Sequence, residues 1–326
     1  MQIVDRIAHQ PPAIVFEHRS ISLNTIIIGI QLNLITRRPL FFLGLLIIIW
    51  GVGYPVMKIG LAYAPPLIFA GLRAIVAAVF LASLALYFAE PIDLRHNWRA
   101  LTISTIFNVG LFFGLSTISV NYLPAGLASV LLYIQPIVVG FLAHWLLDEV
   151  LTRKKLLGLI IGFVGVAIIS YRGIQGDVSA YGVGMGLLSA IAWAIGTVSM
   201  KHANPTSVYW FIAIPFFIGG WLIVFSGQLI LDEQWSQIQW HWSFVAALLW
   251  GSIIGLASSW LIWLNLIKTM DATRISANTF LVPVVSIAVS TVFLGEQLTW
   301  VLAVGGGLII YSIYLVNARQ TSAVAD

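Results

Sequence analysis

The sequence has no cysteine and very little charge: of its 326 residues, 12 are Asp or Glu and 16 are Lys or Arg, 9% in all. The missing cysteine excludes disulfides, cysteine-containing metal sites and thiol catalysis. The shortage of charge excludes a surface that faces water all round, since soluble domains carry about 25% charged residues. Nor is there the basic stripe that a nucleic-acid partner would need, because the net charge is +4 and the cations are scattered. No clustered His, Asp or Ser at a membrane face speaks for an intramembrane enzyme. The chain reads as a non-enzyme with no catalytic residues, no metal and no cofactor.

What is present is hydrocarbon. Hydrophobic residues make up 60% of the chain, and 13 Trp with 10 Tyr suit the interfacial belts of a membrane protein. A helix crossing a bilayer needs about 20 apolar residues. Ten such runs are predicted, near 40–61, 66–88, 100–119, 124–146, 155–171, 182–200, 208–227, 244–267, 273–294 and 298–316. With a cytoplasmic N-terminus, the inner segments hold Arg37, Arg38, Arg95, Arg99, Arg153, Lys154, Lys155, Lys201, Lys268, Arg274 and Arg319, and the outer loops only Arg172. Positive charge stays inside, so both termini are expected in the cytoplasm of a multi-pass inner (plasma) membrane protein. Residues 1–36 read as a cytoplasmic extension and 318–326 as a tail. The Trp235, Trp240 and Trp242 side chains of the outer loop are expected to anchor at the membrane surface.

The two halves repeat. Trp50 and Lys58 are spaced as Trp193 and Lys201 are, at an offset of 143 residues. An offset of 147 superposes Pro136 on Pro283, Glu149 on Glu296 and Gly158 on Gly305. Residues 37–173 and 181–317 thus hold five predicted spans each. Five is odd, so the second half enters from the opposite side, an inverted repeat of the kind common in secondary transporters. The expected fold class is an all-α integral membrane protein, ten transmembrane helices in two inverted five-helix repeats.

The stretches WGVGYPVMK, RAIVAAVF and AGLASVLLYIQPIVVGFLAHWLLDEVLTRKKLLGLIIGFVGVAII, with the parallel ISANTFLVPVVSIAVSTVFLGEQLTWVLAVGGGLII, resemble the drug/metabolite transporter superfamily, of the EamA-like ten-span type. The resemblance covers nearly all of residues 40–316. It implies a secondary transporter, an exporter of small metabolites with amino acids or related zwitterions among the substrates, working by alternating access and compatible with uncoupled facilitated diffusion. Its partners would be the small-molecule substrate and the lipid bilayer, in a monomer or homodimer. Proton-coupled drug efflux is the alternative. It is disfavoured because Glu90, Asp93, Asp148, Glu149, Asp177, Asp232, Glu233, Asp271 and Glu296 all fall at span ends or in loops, leaving no intramembrane carboxylate. Intramembrane enzyme and non-transporting scaffold are the readings from other classes.

Candidates for the substrate cavity or its gates follow from polarity in apolar surroundings. Arg73 lies about 10 Å along its span, where a guanidinium that cannot deprotonate needs water, a carbonyl or an anion. Lys58 and Lys201 sit near opposite surfaces, either as gates or as snorkelling helix ends. Asn108, Tyr133, Gln135, Asn265 and Asn278 are polar groups with little reason to face lipid. The resemblance implies that the first span of each half lines the pathway, which makes Trp50, Tyr54 and Trp193 candidate walls. Pro55, Pro136 and Pro283 are expected to kink their helices. Glu149 and Glu296 should accept hydrogen bonds from backbone or a cation at helix junctions.

Overall fold

The computed structural model describes residues 38–123, 130–170, 179–203, 205–294 and 300–318, and leaves the side chains of Tyr54 and Lys58 undescribed. Among these residues the regular structure is helical. Helix α1 runs Pro39–Leu61 and α2 Pro66–Tyr87, each opened by proline in its first turn, where the missing N–H is no loss. A long third helix, α3, joins Leu94–Ile103, a π-helical Ser104–Leu111 and Phe112–Tyr122. Then come α4 (Gln135–Leu146), α5 (Arg153–Ser170), α6 (Ala180–His202) and α7 (Val208–Ile230). Helix α8 joins Trp242–Trp250, a π-helical Gly251–Ser258 and Ser259–Thr269. Three more follow: α9 (Ala272–Asn278), α10 (Leu281–Leu294) and α11 (Trp300–Asn317).

Among the described residues, six helices are long and apolar enough to cross a membrane: Pro39–Leu61, Pro66–Tyr87, Asn97–Ser119, Ala180–His202, Val208–Ile230 and Trp242–Thr269. The ten-span reading is met in full at these six. Turns at 133–134 and 279–280 cross the runs at 124–146 and 273–294, and residues 124–129 of the first run lie outside the described residues. The apolar part of α5 is shortened by Arg153, Lys154 and Lys155 in its first turn. The turns also change the role of two prolines. Pro136 and Pro283 do not kink a continuous helix; they sit in the first turn of α4 and α10, while Pro55 and the overlooked Pro215 lie inside helices.

The π-helical segments begin 147 residues apart and are of equal length, as do α5 and α11. Helix α7 packs along α2 and α11 along α5. The closest approach in the second pair uses glycine: a Cβ on Gly165 would stand 2.8 Å from the carbonyl oxygen of Gly305. Gly306 and Gly307, next along the same helix, face open space.

Two matching tripeptides tie helix ends together. Leu147-Asp148-Glu149 ends α4 and Leu231-Asp232-Glu233 ends α7, with Asp148 and Asp232 at φ 55° and 51°. The left-handed residue satisfies the helix's last carbonyls and turns the chain, so that Glu points at a neighbouring helix N-terminus. The Glu233 carboxylate accepts from the Leu67 and Ile68 amides of α2, at 3.1 and 2.8 Å. At the other end of the pair, the Trp210 indole of α7 donates to the carbonyl of Glu90, just beyond α2. Helices α2 and α7 are therefore antiparallel, and the C-terminal ends of α1 and α6 lie at opposite ends of them.

Candidate functional site

A cavity of about 430 Å³ lies between the helices, within the usual size of small-molecule sites. It begins where α1 meets α2, at Leu61 and Pro66, and reaches inwards to Trp50 and Trp193. From Leu61 to Trp50 is about 16 Å of helix. Its floor is aromatic: the Trp50 ring lies 5.8 Å from Trp193 and 5.4 Å from the fully buried Trp263, and Phe112 stacks on Trp193 at 4.8 Å. Phe113 and Trp260 close one side edge-on, 6.0 Å apart. Ser116, Thr117 and Tyr133 add hydroxyl-bearing side chains to its lining.

Among the described residues, Arg73 is the cation on this wall and no carboxylate lines it. Its guanidinium lies over the Phe69 ring at 5.0 Å, and among the described residues its Nε has no hydrogen-bond partner. Room for the side chain comes from Gly251, the first residue of the second π-helical segment: a Cβ there would stand 3.0 Å from Arg73 Cδ. A partly desolvated cation facing an aromatic cavity is arranged to receive an anionic group while the apolar walls cover the rest of a solute.

Beyond the floor, away from the α1–α2 junction, the described residues pack against one another. Gly196 of α6 presses directly on the Asn108 side chain. Further on, the Glu149 carboxylate accepts from Lys201 Nζ at 3.0 Å, from the Ala272 and Thr273 amides at 2.7 and 3.1 Å, and from the Thr273 hydroxyl at 3.0 Å. Lys201 also donates to the Met270 carbonyl at 2.6 Å. One buried carboxylate thus joins the ends of α4, α6 and α9, with Lys155–Asp271 and Arg274–Asp271 ion pairs beside it.

Burial alone would raise the Glu149 pKa, but the Ala272 amide, the Lys201 ammonium and the Thr273 amide together hold it below the ordinary 4.5. A depressed carboxylate contributes stability above its unfolded pKa and loses it as pH falls through the folded value. The thermal-stability advantage of the wild type over Glu149→Gln is therefore expected to be full at neutral pH and to shrink below pH 4.5, checked by melting curves in detergent across pH.

Of the residues singled out in sequence, the cavity gathers Trp50, Arg73, Tyr133 and Trp193. Asn265 and Asn278 do not line it; each amide donates back to its own helix, to the Leu261 and Arg274 carbonyls at 2.7 Å. Asn108 and Gln135 are fully buried outside it. Lys201 is a buried-end partner of Glu149 rather than a snorkelling terminus. The side chains of Tyr54 and Lys58, Glu296 and residues 1–37 lie outside the described residues. Sequence reading missed Phe112, Phe113, Trp250 and Trp260, since an aromatic residue in an apolar run carries no mark of the direction it faces. The repeated LDE tripeptide was legible and would have pointed to Glu233.

Residues 37–171 and 180–318 match the model of the EamA-like transporter family. The Uncharacterized transporter YvbV of Bacillus subtilis is 39% identical over 88% of this chain and 94% of its own length. A probable amino-acid metabolite efflux pump of Salmonella typhimurium is 28% identical, over 89% of this chain and 99% of that protein. The Escherichia coli protein of the same description is also 28% identical, over 83% and 92%. A solved chain described as "Crystal structure of protein" shares the fold with TM-score 0.73 at 17% identity, over 85% of this chain and 95% of that one.

Proposed function

From its membership of the EamA-like transporter family, to which the chain belongs, we propose a ten-span secondary carrier that exports small metabolites, amino acids or related zwitterions among them. In this reading the two halves are inverted repeats, both termini are cytoplasmic, and the cavity at the α1–α2 junction faces outwards. The carrying observation is the cavity itself, which is aromatic, holds Arg73 and is closed at one end by the Glu149 cluster. The names of the Salmonella and Escherichia coli relatives, as amino-acid metabolite efflux pumps, favour the same substrate class.

Transport would proceed by exchange of the closed end. With the Glu149 cluster intact, a solute on the Trp50–Trp193 floor reaches only the outside; parting of α4, α6 and α9 would release it to the other face. Arg73 would hold the solute's carboxylate against Phe69 while the indoles cover its apolar part. Among the described residues no carboxylate lines the cavity to exchange a proton, which favours facilitated diffusion over proton-coupled drug efflux.

Proteoliposomes holding the protein should show saturable counterflow of at least one member of an amino-acid panel. Arg73→Gln is expected to lower that flux at least tenfold while leaving the melting temperature within a few degrees of the wild type. Equal loss of flux and of folded protein would make Arg73 a scaffold residue, and absence of counterflow across the panel would remove the carrier reading.

A further inference from the structure

The closed half of the protein holds polar side chains that its fold does not use. Asn108 and Gln135 are completely buried, and among the described residues neither Asn108 Oδ1 nor either polar atom of the Gln135 amide has a hydrogen-bond partner. The Asn108 Nδ2 donates to Ser104 Oγ at 3.2 Å, and Ser104 is buried as well. Buried polar groups are nearly always paired, and leaving one unpaired costs stability that an apolar residue would not. An all-helical membrane protein has no need of an amide at these positions for packing.

Their positions in the repeat give them a use. The residues 147 places on from Ser104, Asn108 and Gln135 are Gly251, Gly255 and Val282, and all three line the open cavity. The glycine beside them follows the offset of 143 that relates Trp50 to Trp193. A Cβ on Gly53 would meet nothing nearer than Trp250 at 3.9 Å, whereas its counterpart Gly196 is in close contact with Asn108. One half is open where the other is shut, residue for residue.

We propose that Ser104, Asn108 and Gln135 form a second, hydrogen-bonding half of the substrate path, closed in this conformation and opened to the cytoplasm when the carrier reorients. The inference rests on the carrier reading above. Freed of Gly196, Asn108 Oδ1 would accept from a solute ammonium, and the Gln135 amide would both donate and accept. The solute class is a small molecule with a head group that donates and accepts together, as a zwitterion does. The outward half, with Arg73 and its indoles, selects for carboxylate and apolar surface. The inward half selects for a head group that donates and accepts hydrogen bonds.

The chain lacks cysteine, so single Asn108→Cys and Gln135→Cys variants report one position each. A membrane-impermeant maleimide is applied to right-side-out and inside-out vesicles of each folded variant, beside wild-type vesicles in which counterflow is measured. Both cysteines are expected to react at least tenfold faster from the cytoplasmic face, and at least tenfold faster again when Glu149→Ala loosens the closed end. No reaction from either face of the folded variants, with counterflow present in the wild-type vesicles, would overturn the inference and leave the carrier reading standing. Equal reaction from the two faces would overturn it as well. Absence of counterflow in the wild-type vesicles strikes the carrier reading, and this inference with it. Should the cysteine variants not fold, Gln135→Met gives a second measurement. Its melting temperature is expected to equal or exceed that of the wild type while counterflow falls at least tenfold; flux unchanged would overturn the inference.

Discussion

Glu149→Ala should lower the stability of the folded protein by about 3 kcal/mol and shift the cavity away from the outer face. The carboxylate side chain is 8% exposed and that of Lys201 21%, so the pair is largely out of water. Removing the anion leaves the Lys201 ammonium with the Met270 carbonyl alone, and strips the Ala272 and Thr273 amides of their acceptor at the start of α9. An uncompensated buried charge is costly, typically about 3–5 kcal/mol, and the residual exposure of Lys201 argues for the lower end. Glu149→Gln keeps an acceptor for the α9 amides and should cost less than the alanine change. The order wild type, Gln, Ala in melting temperature checks the assignment. If Gln and Ala were equally harmful, the charge would be the whole contribution and the cap none.

Gly196→Val is expected to act on the same equilibrium through packing. Its side chain would enter space now filled by Asn108, and overpacking of this kind costs about 1–3 kcal/mol. That cost falls on the conformation in which α6 and α3 touch. At about 1.4 kcal/mol per factor of ten, 2 kcal/mol would reduce the outward population relative to the inward one about thirtyfold. Gly53→Val has the opposite expectation. The cavity already accommodates a side chain there, so the outward conformation should persist and flux should fall because the return step is blocked. Counterflow, with melting curves to confirm folding, separates the two: both variants transport poorly, and only Gly196→Val loses outward exposure.

Much of this was legible in the sequence, for reasons that are local. Six of the runs read as spans became membrane-length helices because the few polar residues within them, Arg73, Asn108 and Asn265 among them, do not break the helix. Trp50 and Trp193 were legible as a pair because the repeat spaces them equally from Lys58 and Lys201, and Arg73 because a guanidinium in hydrocarbon needs a partner or a cavity. Glu149 was expected to accept from backbone or a cation at a helix junction, and it does both. The π-helical segments left no local trace; they become visible only when Ser104–Leu111 is set beside Gly251–Ser258. The turns at 133–134 and 279–280 were hidden because apolar residues continue across them, leaving proline as the sole hint. Asn265 and Asn278 misled for a related reason: an amide in a span can satisfy itself on the carbonyl four residues back, and both do.

The most direct test is the solvent exposure of the cavity wall. Met57→Cys, in a chain otherwise free of cysteine, places one thiol on the wall one helical turn inward of Leu61. A membrane-impermeant maleimide added outside intact cells should modify it readily, and a transported solute at saturating concentration should slow the reaction. With Glu149→Ala or Gly196→Val added, modification from outside should fall at least tenfold, and modification from the cytoplasmic side of inside-out vesicles should rise at Gln135→Cys in its place. Rates at Met57→Cys that stay the same in both folded variants would contradict a cavity that changes sides.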